Sequence, residues 1–286
     1  MTALEAPTPA FFFSDVHLGA ADPGQESLKN ARLAEFLDHV GAAGRSLFCL
    51  GDLFDFWFEY DTAVPARFFG VLRRLQELSE AGVRLHFQGG NHDWWVRRGG
   101  RPGFLEREIG FRLLPDRAEI AADGLRLLLL HGDGIGRGDV PYRVLKRVLR
   151  NRLAVEAFRW IHPDLAARVG SLTSRTSRRA KGSGPREETC AAIRAHALET
   201  LAHRPDLHAV LAGHAHRLEE TAIADGRRYL NLGDWRSSGS YAVIQGGALS
   251  LRSLGVTPLP HARPPRHPDP PQERSSPRAG TAREGR

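Results

Sequence analysis

The sequence predicts an α/β fold in which two β-sheets pack as a sandwich flanked by helices, with a helical lid inserted after residue 136. Three observations lead there. Apolar runs of five to seven residues recur along the chain and stop at Gly, Asp, Asn or His. Segments with helical spacing separate the first three runs, the signature of βαβ units. A basic, helix-prone stretch then interrupts the pattern between two further runs. With 286 residues, 41% of them hydrophobic, the chain can bury one good core. The expected organisation is a domain over 10–255 carrying a lid over about 137–185, followed by a tail over 256–286.

Residues 1–9 show no pattern. Ala10-Phe11-Phe12-Phe13-Ser14 is a buried strand that runs into Asp15-Val16-His17. On an extended backbone Asp15 and His17, two apart, point the same way. Leu28, Ala31, Leu33, Ala34, Leu37 and Val40 mark an amphipathic helix within 27–40. Ser46 to Leu50 is the next strand, ending at Gly51-Asp52; Asp55, three residues on, is expected to cap the following turn. Phe56-Trp57-Phe58 reads as core or pocket wall. A helix over 65–81 turns Phe68, Phe69, Leu72, Leu75 and Leu78 inward and leads to the strand Gly82–Phe87, which ends in Gly90-Asn91-His92-Asp93. Trp94-Trp95 and Arg97-Arg98 either floor a pocket or pack on the sheet. Gly124–Leu130 stops at His131, and His208–Ala212 stops at Gly213-His214-Ala215-His216. Segments 228–232 and 241–245 are expected to complete a second sheet. Beyond Gly255 the composition turns to Pro, Arg, Ser and Glu, and 256–286 are expected to be disordered.

Charge narrows the partners. The net charge is +7, yet residues 137–182 alone hold twelve Lys and Arg against three acidic residues, a net +9 that leaves −2 elsewhere. One basic segment points to a local anionic partner, a phosphate or lipid headgroup, rather than to general nucleic-acid binding. Two cysteines, Cys49 inside a strand and Cys190, form no disulfide framework and suggest a reducing compartment. The N-terminus lacks the basic and long apolar regions of a secretory signal, and no segment offers the ~20 apolar residues needed to span a bilayer.

The donors at the strand ends form one set: Asp15, His17, Asp52, Asn91, His131, His214 and His216. Oxygen and imidazole donors without thiolate suit Mn, Fe or Zn bound for chemistry rather than for structure. Seven donors exceed the needs of one ion. Two cations about 3.5–4 Å apart, sharing a carboxylate, account for the number, and such pairs drive in-line phosphoryl displacement by an acidified bridging hydroxide. Asp52 is the candidate bridge, and His92 the group that stabilises charge or protonates.

The ordered blocks Asp15-Val16-His17, Gly51-Asp52, Gly90-Asn91-His92-Asp93, His131 and Gly213-His214-Ala215-His216 resemble the calcineurin-like metallophosphoesterases over residues 11–250. The resemblance implies one cation held by Asp15, His17, Asp52 and His216 and a second by Asp52, Asn91, His131 and His214, with manganese the expected metal. Within that superfamily the lid is similar to that of the UDP-2,3-diacylglucosamine diphosphatases, which implies hydrolysis of a UDP-linked diacylglucosamine to UMP and the lipid 1-phosphate. Asp139, Tyr142, Ser174, Arg178 and Lys181 fall at the spacing of that family's substrate contacts, with Arg178 standing where the family has an amide. His92 also departs, since many of these enzymes carry arginine there. An apolar stripe through Val144, Leu145, Val148, Leu149, Leu153, Phe158, Ile161 and Leu165 among arginines would shelter acyl chains and meet an anionic membrane. The implied location is the inner face of the cytoplasmic membrane, as a peripheral protein. The alternatives are a phosphoesterase for another nucleotide diphosphate or phosphodiester, and a scaffold with a degenerate site, against which the full donor set argues.

Overall fold

The computed structural model describes residues 3–96, 101–136, 140–181 and 186–254. Arg97, Arg98, Asp139 and the tail from 256 therefore lie outside the described residues, as do the side chains of Tyr142, Ser174, Arg178 and Lys181. In chain order the strands are β1 (Leu4–Glu5), β2 (Ala10–Phe13), β3 (Ser46–Cys49), β4 (Arg84–Gln88), β5 (Phe111–Leu114), β6 (Arg117–Ala122), β7 (Leu125–Leu130), β8 (Ala209–Ala212), β9 (Leu218–Ala222), β10 (Arg228–Leu232), β11 (Ser240–Gln245) and β12 (Ala248–Ser253). The helices are α1 (Pro23–Ala43), α2 (Phe69–Glu80), α3 (Phe104–Arg107), α4 (Val140–Leu149), α5 (Arg152–Arg159), α6 (Pro163–Lys181) and α7 (Glu187–His203).

Two six-stranded sheets face each other, ordered β12-β11-β2-β3-β4-β5 and β1-β6-β7-β8-β10-β9. The side-chain period of two explains why the apolar runs are continuous rather than alternating. Phe12, Phe48 and Leu50 meet Leu127, Leu129, Leu211 and Leu230 between the sheets. Their neighbours Phe11, Phe13, Leu47 and Cys49 point out against Leu33, Phe36, Leu37 and Leu75 of α1 and α2. On the other sheet Leu128, Leu130, Val210 and Ala212 pack outward on Cys190, Ile193, Ala197 and Leu201 of α7. Strands covered on both faces must be apolar at every position.

The parallel strands β2, β3 and β4 and the parallel pair β7 and β8 set the site, because each ends toward it. Several expectations need correction. Strands β10 and β11 do not share a sheet: β10 joins β8, and β11 pairs with β2. The segment without pattern supplies β1, which pairs parallel with β6 through Leu4↔Ile120, too short a strand to show periodicity. Phe69 is 68% exposed, because a 3₁₀ turn over Ala66–Phe68 rotates the start of α2. In α1 the expected inner residues Leu28 and Ala31 are exposed, and buried Lys29 takes an inner position.

Candidate metal centre

Each strand end turns sharply, and the backbone records the turn. Six non-glycine residues among those described have positive φ, and five are predicted donors: Asp15 (55°), His17 (48°), Asp52 (55°), His214 (64°) and His216 (55°). Left-handed backbone at such residues costs of order 1–3 kcal/mol each and persists where surrounding contacts over-determine it. Asp15 and His17 are thus not on an extended chain, as their spacing suggested. They converge because left-handed residues on either side of Val16 fold the loop back. Glycines allow the close approach: a Cβ on Gly90 would overlap the Asp52 carboxylate, and one on Gly213 would lie 2.5 Å from Asp15 Oδ2.

Of three side-chain groups able to hold a metal ion among the described residues, two consist of predicted donors alone, Asp15 with His17 and His216, and Asp52 with His131 and His214; the third is His17 with Asp55 and His92. In the first, His17 Nε2 is 3.1 Å from His216 Nε2 and His216 Nε2 is 3.4 Å from Asp15 Oδ1. In the second, His131 Nε2 lies 3.4 Å from Asp52 Oδ2 and 3.3 Å from Asn91 Oδ1. Asp52 Oδ2 is also 3.6 Å from His17 Nε2, so one carboxylate oxygen faces both groups. All seven predicted donors are brought together. Asp15 Oδ1 and Asp52 Oδ2 are buried without a well-formed hydrogen bond. Buried carboxylate oxygens left so amid imidazoles fit a cation pair better than a closed polar network.

A supporting layer fixes these donors. His131 Nδ1 donates to Leu50 O at 2.8 Å, which directs its Nε2 to the site. The second Asp15 oxygen accepts the His214 N–H at 2.8 Å, and the second Asp52 oxygen accepts that of His92 at 2.9 Å. Three further carboxylates were not predicted as site residues. Asp93, fully buried, accepts the N–H groups of Asp52, Gly90 and Phe54 at 3.1, 2.8 and 3.2 Å. Asp55 was expected only to cap a turn, but its carboxylate sits 3.5 Å from His92 Nδ1 and 3.9 Å from His17 Nδ1 while its carbonyl accepts from His92 at 2.8 Å. Asp234 lies 3.7 Å from His216 Nδ1. The buried Lys29 donates to His17 O at 2.5 Å and pairs with Glu26 at 3.0 Å. Asp93 and Asp55 adjoin quoted motifs and carried a local signal; Asp234 and Lys29 carried none.

Protonation follows the packing. Burial pushes His17 down to about 3 and, with His131 beside it, His214 down to about 4, leaving both as neutral donors. Burial also works against charge on His131, but Asp52 prevails and holds it at about 10. Asp52 stays well below the usual carboxylate range despite burial, because His131 and His92 favour its charge. Burial and then the neighbouring Asp52 raise Asp93 to about 7.

The sequence profile of the calcineurin-like phosphoesterases matches residues 8–218. The chain belongs to that family. Its relatives include proteins named UDP-2,3-diacylglucosamine hydrolase from Porphyromonas gingivalis, 32% identical over 262 residues that cover 85% of this chain and 97% of the relative. The protein of that name from Stenotrophomonas maltophilia is 30% identical over 85% of this chain and 97% of its own. The one from Pseudomonas paraeruginosa is 33% identical over 80% and 91%. This phosphoesterase is accordingly a hydrolase of a metal-dependent family, and the donor groups described above are suited to divalent ions.

Around the site stands the insertion. Its α5 and α6 rest on an aromatic footing: Phe158 packs on Phe58 at 4.8 Å, and Gly170 approaches Phe56 so closely that a Cβ would lie 2.5 Å from the ring. Trp94 and Trp95, left open between pocket floor and sheet packing, carry the lid instead. Arg150 lies over Trp94 at 4.6 Å, and Trp95 Nε1 donates to Leu149 O at 3.1 Å. Of the predicted apolar stripe, Phe158 and Ile161 are half-buried, while Val144, Leu145, Val148, Leu149, Leu153 and Leu165 are exposed. No helix among the described residues is long and apolar enough to cross a membrane.

Proposed function

We propose that the protein hydrolyses the diphosphate of UDP-2,3-diacylglucosamine to UMP and 2,3-diacylglucosamine 1-phosphate, using two divalent cations of which manganese is the expected pair. The names of its relatives support the substrate. The observation that carries the chemistry is Asp52, whose Oδ2 faces both donor groups. One cation would be held by Asp15, His17, Asp52 and His216, the other by Asp52, Asn91, His131 and His214. Bound there, they would neutralise phosphate charge and acidify a water.

The chain's own residues then do the rest. Neutral His17 and His214 offer lone pairs without first losing a proton. His92 donates from Nδ1 to the Asp55 carbonyl, so Nε2 is the nitrogen free to hold or give a proton at a departing oxygen. Asp139, Tyr142, Ser174, Arg178 and Lys181 of the lid would contact the substrate. The domain is read as 10–255 with the lid over about 137–185. Exposed Leu153, Leu172 and Trp160 among arginines favour acyl chains and an anionic bilayer, and hence a peripheral place on the cytoplasmic membrane face.

The test is mass spectrometry of products from UDP-2,3-diacylglucosamine in ¹⁸O-labelled water with added Mn²⁺. Label in UMP is the expected result and would locate attack at the α-phosphorus. Turnover of dinucleotides or nucleic acid at equal rates, or none of the lipid nucleotide, would overturn the assignment.

A further inference from the structure

The two ends of the lid are attached by different chemistry. While α5 and α6 have the aromatic footing, the apolar side chains of α4 contribute none: Val144, Leu145, Val148 and Leu149 are all exposed. What holds α4 among the described residues is mainly charge, beside the hydrogen bond from Trp95 Nε1 to Leu149 O. Lys146 Nζ pairs with Asp133 Oδ2 at 2.7 Å and lies 3.8 Å from Asp116 Oδ2. Arg150, at the α4–α5 turn, pairs with Asp116 at 2.6 Å, reaches Asp133 at 3.8 Å and stacks on Trp94. Three of these four groups are mostly buried, with side-chain exposures of 6% for Asp133, 15% for Arg150 and 20% for Lys146, while Asp116 is 53% exposed. A cleft of about 640 Å³ opens beside them, lined by Asp133, Gly134, Lys146, Arg147, Arg150, Asn151 and Arg152.

Where the anchors sit gives the pairs their meaning. Asp133 is two residues past His131, and Trp94 three past Asn91. Helix α4 is therefore tied to two of the loops that bring donors to the second group, those of Asn91 and His131. We infer that Lys146 and Arg150 are positioning residues, holding the α4 end of the lid on the Asn91 and His131 loops so that lid and second donor group keep one geometry. The effect on turnover rests on the proposed function; the effect on structure does not. Removing one partner of a largely buried pair leaves an uncompensated charge, and the loss falls on the local opening of α4 rather than on global unfolding.

The experiment compares full-length wild type, Lys146→Ala, Arg150→Ala, Lys146→Arg and Arg150→Lys by amide hydrogen exchange, by titration with Mn²⁺ alone, and by kinetics. We expect both alanine variants to raise exchange in 144–152 and 131–136 about tenfold while β3 and β8 keep their protection. Mn²⁺ binding should weaken a few-fold at one of two sites. KM for UDP-2,3-diacylglucosamine should rise about tenfold with kcat within about twofold, and the charge-retaining variants should recover most of each loss. Unchanged exchange in 144–152 would overturn the inference, as would a rise spread evenly over the chain that the conservative variants do not reverse. Should the wild type fail to cleave the lipid nucleotide, the functional assignment falls, and exchange and Mn²⁺ binding still judge the latch.

Discussion

Around Asp52 nearly every side chain is buried and fixed by at least one partner, while along α5 Leu153 is 79% exposed and Trp160, at its end, is 92% exposed. The donor cluster grows from parallel strands locked between a second sheet and helices, and it stores unfavourable backbone at five positions. The lid makes the opposite arrangement: its helices leave most of their apolar stripe in solvent and touch the body through a few rings, hydrogen bonds and ion pairs. A preorganised site needs rigid supports, whereas a surface that accepts long flexible chains must stay open to them.

The sharpest way to break this comparison is Asp52→Ala. If one carboxylate serves both donor groups, turnover should fall by at least ~10³-fold while circular dichroism is unchanged, since losses of that order follow removal of a group acting directly on developing charge. Retained activity would end the bridging assignment. Next in size is Asp93→Ala, which strips three buried N–H groups of their acceptor and should cost about 3–5 kcal/mol in urea unfolding. Asp93→Asn, keeping one acceptor, should lose less. A small effect would mean that the supporting layer is not what holds the loops.

A third expectation concerns pH. Because His131 keeps its proton up to about 10 in the unliganded site, a cation at the second group must displace it. Raising the pH removes that competition, so Mn²⁺ affinity should climb by up to about tenfold per pH unit between 6 and 8. Calorimetry in buffers of different ionisation enthalpy should find proton release on binding. The smallest effect belongs to the lid. Trp160→Ala should leave stability within about 0.5 kcal/mol, as expected of an exposed substitution. It should still weaken sedimentation with anionic lipid vesicles a few-fold, an outcome that an inert exposed tryptophan would not produce.

The legibility of the molecule divides along the same line. Strands such as Leu125–Leu130 could be read because burial on both faces demands a continuous apolar run, and their ends could be read because oxygen and imidazole donors that close such a run stand out. The supporting layer was hidden: Lys29 and Asp234 belong to an ordinary helix and an ordinary loop until the fold brings them to His17 and His216. Strand β1, two residues long, offers no period to detect, and α7 lies outside the expected elements although Cys190, Ile193, Ala197 and Leu201 follow helical spacing.

By itself the sequence determined that the chain alternates buried strands with helices, that seven oxygen and nitrogen donors end those strands, and that positive charge gathers in one insertion. These are local properties, set by side-chain chemistry at each position. Only the tertiary structure decided that β10 and β11 part into different sheets and that Asp52 turns one oxygen to both donor groups. Packing also placed Lys146 and Arg150 on the loops behind them. Such choices depend on residues far apart in the chain competing for the same neighbours, and no single segment carries that information.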